Sequence, residues 1–193
     1  GAKPSHSLHI VADSAAALEL KPENSRNFSH LVAEAGALFG ARHYRDYHFL
    51  LTLSDHVAHF GLEHHESSDN RQPEKYLTDP DTLKPMGLLL PHEMVHSWNG
   101  KYRRPAGLAT PDFDKALKTE LLWVYEGLTD YLGNVLAARC GLWTNETFRE
   151  DLALNAAMLD HQVGRDWRPL ADTATAAQLL YPARTEGTAA RRS

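Results

Sequence analysis

Residues 88–100 read LLLPHEMVHSWNG, and the way this stretch folds decides how the rest of the chain is arranged. Its centre, His92-Glu93-Met94-Val95-His96, fits H-E-x-x-H. Histidines at i and i+4 lie about one turn apart on one helix face, so both imidazoles can reach a single ion. A glutamate directly after the first histidine can hold a water beside that ion and deprotonate it. Chance has to be weighed, because the chain holds 12 histidines, and such a composition gives the pattern roughly 0.05 times per chain. The neighbours argue against chance: Leu88, Leu89, Leu90, Met94, Val95 and Trp98 leave little room for a solvated histidine face. A polar trio inside an apolar helix needs partners, and a metal ion supplies them. The flaw in the pattern is Pro91, which lacks a helix donor and whose ring would press on the carbonyl of Gly87. The expectation is a helix that begins near Leu83 to Met86 and bends, or that starts afresh at Pro91, with His92 and His96 sharing a face.

Two imidazoles do not complete a tetrahedral catalytic site, which takes three protein ligands and a water. Downstream, Thr110-Pro111-Asp112 combines a capping hydroxyl, a proline and an early acid, and predicts a helix running to about Cys140. On it Leu117, Leu121, Val124, Leu128, Tyr131 and Val135 form an apolar stripe. Glu126 lies roughly opposite, among Leu122, Thr129 and Gly133, where a carboxylate is costly without a cation. Glu126 is therefore the chosen third ligand. Glu120, explicable as a first-turn acid, is the alternative. Asp130, one turn after Glu126, is placed to accept the free N–H of a ligand histidine and fix its tautomer, unless it is a plain surface acid.

Towards the amino terminus the pattern changes. Ser7 to Ala12 reads as a strand, and a helix capped by Asn24 or Ser25 carries Phe28, Leu31, Val32, Ala35, Leu38 and Phe39 up to Gly40. Tyr47 to Leu53 reads as a buried strand, Gly61 to His64 as another, and polar Ser67 to Pro80 as a loop. Further on, a helix is expected from Asn145 to Gln162, and Thr185 to Ser193 as a frayed end. Sheet first and helices second imply an α+β architecture. Residues 1–82 would form a sheet-containing lobe and 83–193 a helical lobe, with the zinc site in the cleft between them.

Bulk properties exclude several classes. With 42% apolar and 23% charged residues the chain is neither disordered nor fibrous. A net charge of −5 offers no basic footprint for nucleic acid. The longest apolar run, around Leu88 to Leu90, falls far short of the ~20 residues that cross a bilayer. No membrane partner is expected, and the chain reads as soluble, cytoplasmic or periplasmic. Cys140 is the single cysteine, so an internal disulfide and a cysteine-built zinc cluster are both excluded.

Glu126-Gly127-Leu128-Thr129-Asp130 following His92-Glu93-Met94-Val95-His96 resembles the gluzincin metallopeptidases, the clan of thermolysin and the zinc aminopeptidases. The wording of Trp98 to Pro105, Leu122 to Thr129 and Gly61-Leu62-Glu63-His64 is similar to the glycyl aminopeptidase family, over most of residues 45 to 193. The resemblance implies a thermolysin-like catalytic domain, Zn2+ held by His92, His96 and Glu126, and Glu93 as general base. It also implies that Glu63, on a strand lining the cleft, binds the free α-amine of a peptide substrate, with small residues such as glycine or alanine preferred. Family members carry an amino-terminal β domain and a PDZ-like domain, so the chain resembles an excised catalytic core that needs the missing portions for normal activity. The tyrosine that would meet the oxyanion is expected beyond Ser193, Tyr181 being the only late tyrosine. An endopeptidase of the same clan, or an inactive peptide-binding module on this fold, are the alternatives. Lys101, Arg103 and Arg104 read as a solvated loop or a structural salt bridge, and Trp98 and Trp123 as core.

Overall fold

The computed structural model describes residues 4–180, so Tyr181 and the expected frayed end lie outside the described residues. The order of elements is β1 (Ser5–Ala12), α1 (Pro22–Phe39), β2 (Asp46–Leu53), β3 (Phe60–Glu63), β4 (Ser67–Gln72), α2 (Pro80–Met86), α3 (Leu89–Val95), a π-helical turn (Trp123–Gly127), α4 (Leu128–Cys140), α5 (Asn145–Asp160) and α6 (Leu170–Leu180). The architecture is mixed α+β, with one small sheet. Among the described residues no helix is long and apolar enough to cross a membrane. The chain divides into two compact units. One comprises the chain up to Arg103 together with Thr129–Phe148, and the other Arg104–Leu128 together with the chain from Arg149 onward.

In the first unit the strands lie in the order β1-β2-β4-β3, with β1–β2 and β2–β4 parallel and β3–β4 antiparallel. The Ser67–Pro80 segment is therefore not all loop, because its first six residues form β4, an interior strand. Hydrophobic alternation could not reveal it, since both faces are polar. Outward, Arg71 pairs with Asp69 at 2.9 Å. Inward, Ser68, Asn70 and Gln72 are buried, and Asn70 Nδ2 donates to Ser68 Oγ at 2.9 Å and to the Leu50 carbonyl at 3.3 Å. The amide nitrogen of Asn70 is thereby satisfied, while Asn70 Oδ1 and Gln72 Oε1 are buried without a hydrogen-bond partner.

The core lies on the inner face of this sheet. Tyr47, Phe49, Leu51 and Leu53 of β2 meet Leu31 and Ala35 of α1, Leu90, Met94 and Val95 of α3, and Leu136 and Cys140 of α4. Each such apolar side chain, fully buried, contributes roughly 1.5–3 kcal/mol against exposure. The α1 helix starts earlier than expected, at Pro22, whose fixed φ suits the first helical position. Asn24, one of the expected caps, instead turns inward and donates to the Leu77 carbonyl at 3.1 Å. Gly40 closes the helix at φ 70°, as the sequence pattern requires.

Pro91 is accommodated by a fresh start. α2 begins at Pro80 behind Asp79, whose side chain accepts from Asp81 N–H, and it ends before Gly87. α3 then opens at Leu89, which puts Pro91 in the first turn. The amides there have no intrahelical acceptor, so the proline removes no hydrogen bond.

In the second unit the expected helix from Thr110 to Cys140 is only partly formed. Residues 111–121 carry no α-helix, and helical structure begins at the π-helical turn. Asp112 Oδ1 does accept from Asp114 N–H at 3.1 Å, the bond that Asp79 makes at the start of α2, yet here it closes only a turn. Leu117, Leu121 and Trp123 stand exposed, so the apolar stripe and the core role for Trp123 do not hold. In the same unit the Lys118 amide donates to the Gly107 carbonyl at 2.8 Å, which ties the two ends of the intervening segment together.

Candidate metal centre

The geometry of the H-E-x-x-H stretch follows from how α3 is held. Its inner face, Leu90, Met94 and Val95, is buried in the core, and Tyr47 Oη donates to the Glu93 carbonyl at 3.3 Å. At its end Trp98 stacks on Phe39 with centroids 4.4 Å apart and donates from Nε1 to the Ala41 carbonyl at 2.7 Å. The chain then turns at Gly100, φ 136°, and the amides of Lys101, Tyr102 and Arg103 bond back to His96, Ser97 and Trp98. A helix anchored at both ends holds its side chains in fixed directions.

His92 and His96 share a face, with their Nε2 atoms 3.1 Å apart. Their ring centroids are 4.8 Å apart and the planes cross at 78°. Two rings aimed nitrogen to nitrogen along one line hold their centroids further apart. His9 and His48 on the outer face of the sheet do so, with nitrogens 2.9 Å and centroids 5.1 Å apart. His92 and His96 instead bring their Nε2 atoms together without lying on one line. Two bonds of about 2.0–2.1 Å from one ion are compatible with this nitrogen separation.

The second nitrogen of His96 bears on which atom of that ring is offered. His96 Nδ1 lies 3.1 Å from the Asn99 carbonyl, which can only accept, so Nδ1 carries a proton and, in the neutral ring, Nε2 presents its lone pair. Thr129 Oγ1 is 3.4 Å from the same Nδ1 and receives a hydrogen bond from Asn99 Nδ2 at 3.0 Å. Asn99 and Thr129 escaped sequence reasoning. An i+3 carbonyl carries no side-chain signal, and the threonine belongs to a helix whose approach only the fold supplies. Asp130 Oδ1 stands 3.9 Å from His92 Nδ1, an ion-pair distance, with its side chain half exposed. Glu93 is buried.

Glu63 ends β3, the outer strand of the sheet, and its Oε1 pairs with Lys101 Nζ at 3.1 Å, both side chains being largely buried. Lys101 is thus a salt-bridge lysine, while Arg103 stands over the Tyr102 ring at 5.2 Å. A cavity of about 310 Å³ opens beside His92 and Glu93, with Phe60, Met86, Leu88 and Leu89 among its lining residues. Gly61 sits against Glu93, since a Cβ at that position would collide with the carboxylate.

Glu126 is found in the second unit. It stands in the π-helical turn and is exposed. π-turns are rare and recur at functional sites. The turn runs on into α4, whose Thr129 and Asp130 belong to the first unit.

Comparison with known proteins agrees with the fold. The chain is similar to the crystal structure of an aminopeptidase N family protein from Idiomarina loihiensis, with a TM-score of 0.77 and 23% identity over 96% of this chain. It spans 32% of that protein. No match is found among curated proteins. A family model described as M61 glycyl aminopeptidase matches residues 86–192, more than half of the sequence. The chain therefore belongs to the M61 glycyl aminopeptidase family.

Proposed function

We propose that the chain is the catalytic core of a zinc aminopeptidase that removes small amino-terminal residues from peptides. The observation that carries this reading is the convergence of His92 and His96 Nε2, 3.1 Å apart on one anchored helix turn, beside the buried carboxylate of Glu93. In this reading His92, His96 and Glu126 hold Zn2+. The ion, when bound, polarises the scissile carbonyl and acidifies the attacking water. Glu93 takes the proton from that water and passes it to the leaving amine. Asn99 and Thr129 keep His96 in the ligating tautomer, and Asp130 does so for His92. Glu63 receives the substrate's α-ammonium, which selects chain ends over internal bonds. Membership of a peptidase family supports the reaction class.

Elemental analysis of the purified chain tests the metal: one equivalent of zinc is expected, with loss of zinc in Glu126→Gln. Full occupancy in that variant would remove Glu126 from the ligand set. Absence of metal from the parent chain would favour a peptide-binding module.

One observation favours a second reading, an endopeptidase of the same clan. Glu63 already has a cation, Lys101, at 3.1 Å. Cleavage of an amino-terminally acetylated peptide as fast as its free-amine counterpart would establish that reading and end the amine role of Glu63.

A further inference from the structure

We propose that Lys101 is an internal competitor for the α-ammonium of the substrate at Glu63, so that release of the Lys101–Glu63 pair sets the affinity for amino termini. The proposal rests on the reading of Glu63 as the amine anchor. Lys101 Nζ lies 3.1 Å from Glu63 Oε1, and the two side chains are only 16% and 18% exposed. An ammonium in that position is chemically what a peptide amino terminus offers. It is also delivered by the metal helix itself, because the Lys101 amide bonds to the carbonyl of His96 at 2.9 Å. Gly61, two residues before Glu63, abuts Glu93. The strand that ends in Glu63 thus touches Glu93 through Gly61, and the turn that carries Lys101 is bonded to the metal helix.

A carboxylate withdrawn from water demands a counter-charge, and removing its partner leaves an uncompensated charge at high cost. With Lys101 in place that demand is met, and a substrate ammonium gains only the difference between itself and the lysine. Without Lys101 the share of that demand which the lysine met passes to the substrate. The geometry thus assigns Lys101 the effect of weakening free-amine binding, and gives the side chain a route to regulate selectivity. A lysine that merely positioned Glu63 would have the opposite effect.

Titration calorimetry with alaninamide and N-acetylalaninamide on the zinc-loaded chain separates these cases without requiring turnover. Lys101→Met is expected to tighten alaninamide about tenfold and to leave the acetylated amide unchanged. Lys101→Arg, whose fork holds a carboxylate more firmly, is expected to weaken alaninamide several-fold. The arginine variant keeps the charge, so it remains informative if the methionine variant does not fold. Weaker or unchanged alaninamide binding in Lys101→Met, or tighter binding in Lys101→Arg, overturns the competitor role. Failure of the underlying reading looks different: Glu63→Gln would then bind alaninamide as the parent does, and the competition proposal would fall with it.

Discussion

Gly133 of α4 lies directly against the backbone of His92 on α3. A Cβ at Gly133 would come to 3.2 Å from both the nitrogen and the Cα of His92, and to 3.0 Å from Leu88 Cδ1. The absent side chain is what lets α4 approach closely enough to bring Thr129 to His96 and Asp130 to His92. Gly133→Ala sets two effects against each other. Alanine favours the helix by about 1 kcal/mol, while overpacking against a backbone that cannot swing aside costs about 1–3 kcal/mol. Net destabilisation is expected in a urea titration of the metal-free protein, together with weaker zinc retention. Gly127, where an added Cβ meets nothing within 4 Å, provides the control. If Gly133→Ala were as stable as Gly127→Ala and kept its metal, the close approach would have no role in the site.

Thr129→Val tests the hydrogen bonds behind His96. The substitution keeps the shape but removes the oxygen that receives Asn99 Nδ2 at 3.0 Å and lies 3.4 Å from His96 Nδ1. Partners of this kind are typically worth 10–100-fold in metal affinity. A loss at the lower end of that range is expected in competition with a chromogenic chelator, because the Asn99 carbonyl still accepts from Nδ1. Unchanged affinity would remove Thr129 from the groups that orient His96.

Gly61→Ala tests the contact between strand and general base. Its Cβ would occupy space taken by the Glu93 carboxylate, which would have to shift towards the cavity beside it. In the proposed enzyme, a displacement of about 1 Å costs on the order of 10²-fold in rate. The expected result is kcat/KM lowered by about that factor with zinc content intact. Parallel loss of zinc would instead mean that α3 as a whole had moved.

The relation of His92 to His96 was legible because it is local: one turn of helix brings the two rings to one face, and the flanks are apolar. The strands at β1, β2 and β3 were legible for the same reason, each marked by a short apolar or alternating run. β4 was not, since Ser68, Asn70 and Gln72 are buried by pairing with neighbours that no periodicity announces. The segment before α4 misled in the other direction. Thr110-Pro111-Asp112 has the composition of a helix start and Asp112 even makes a capping bond to the Asp114 amide, but no helix propagates from it. Without that helix the wheel argument for Glu126 loses its premise. What stands in its favour is its wording within the family pattern and its place in a π-turn leading into α4. The partner of Glu63 was out of reach for another reason. Lys101 stands 38 positions along the chain, and only the turn at Gly100 folds it back.

Cys140 provides a test of the packing of α4 that is independent of the metal. It is 1% exposed, and burial pushes its thiol up to about 11. Thiolate is the reactive form, so at pH 8 the folded protein should not react with a water-soluble aromatic disulfide, while denaturant should release one thiol per chain. The same shift predicts a pH dependence. Between about 9, the ordinary value, and 11 the unfolded chain has lost the thiol proton that the folded chain retains. With fewer protons bound in the unfolded state, stability must fall as pH rises through that window, and the contribution is fully present below it. Cys140→Ala removes the group and should flatten that part of the profile, at the expense of a small cavity among the core residues around Leu136. Rapid labelling of the folded protein at pH 8, or an identical slope in the alanine variant, would show that the carboxyl-terminal end of α4 opens far more readily than its burial indicates.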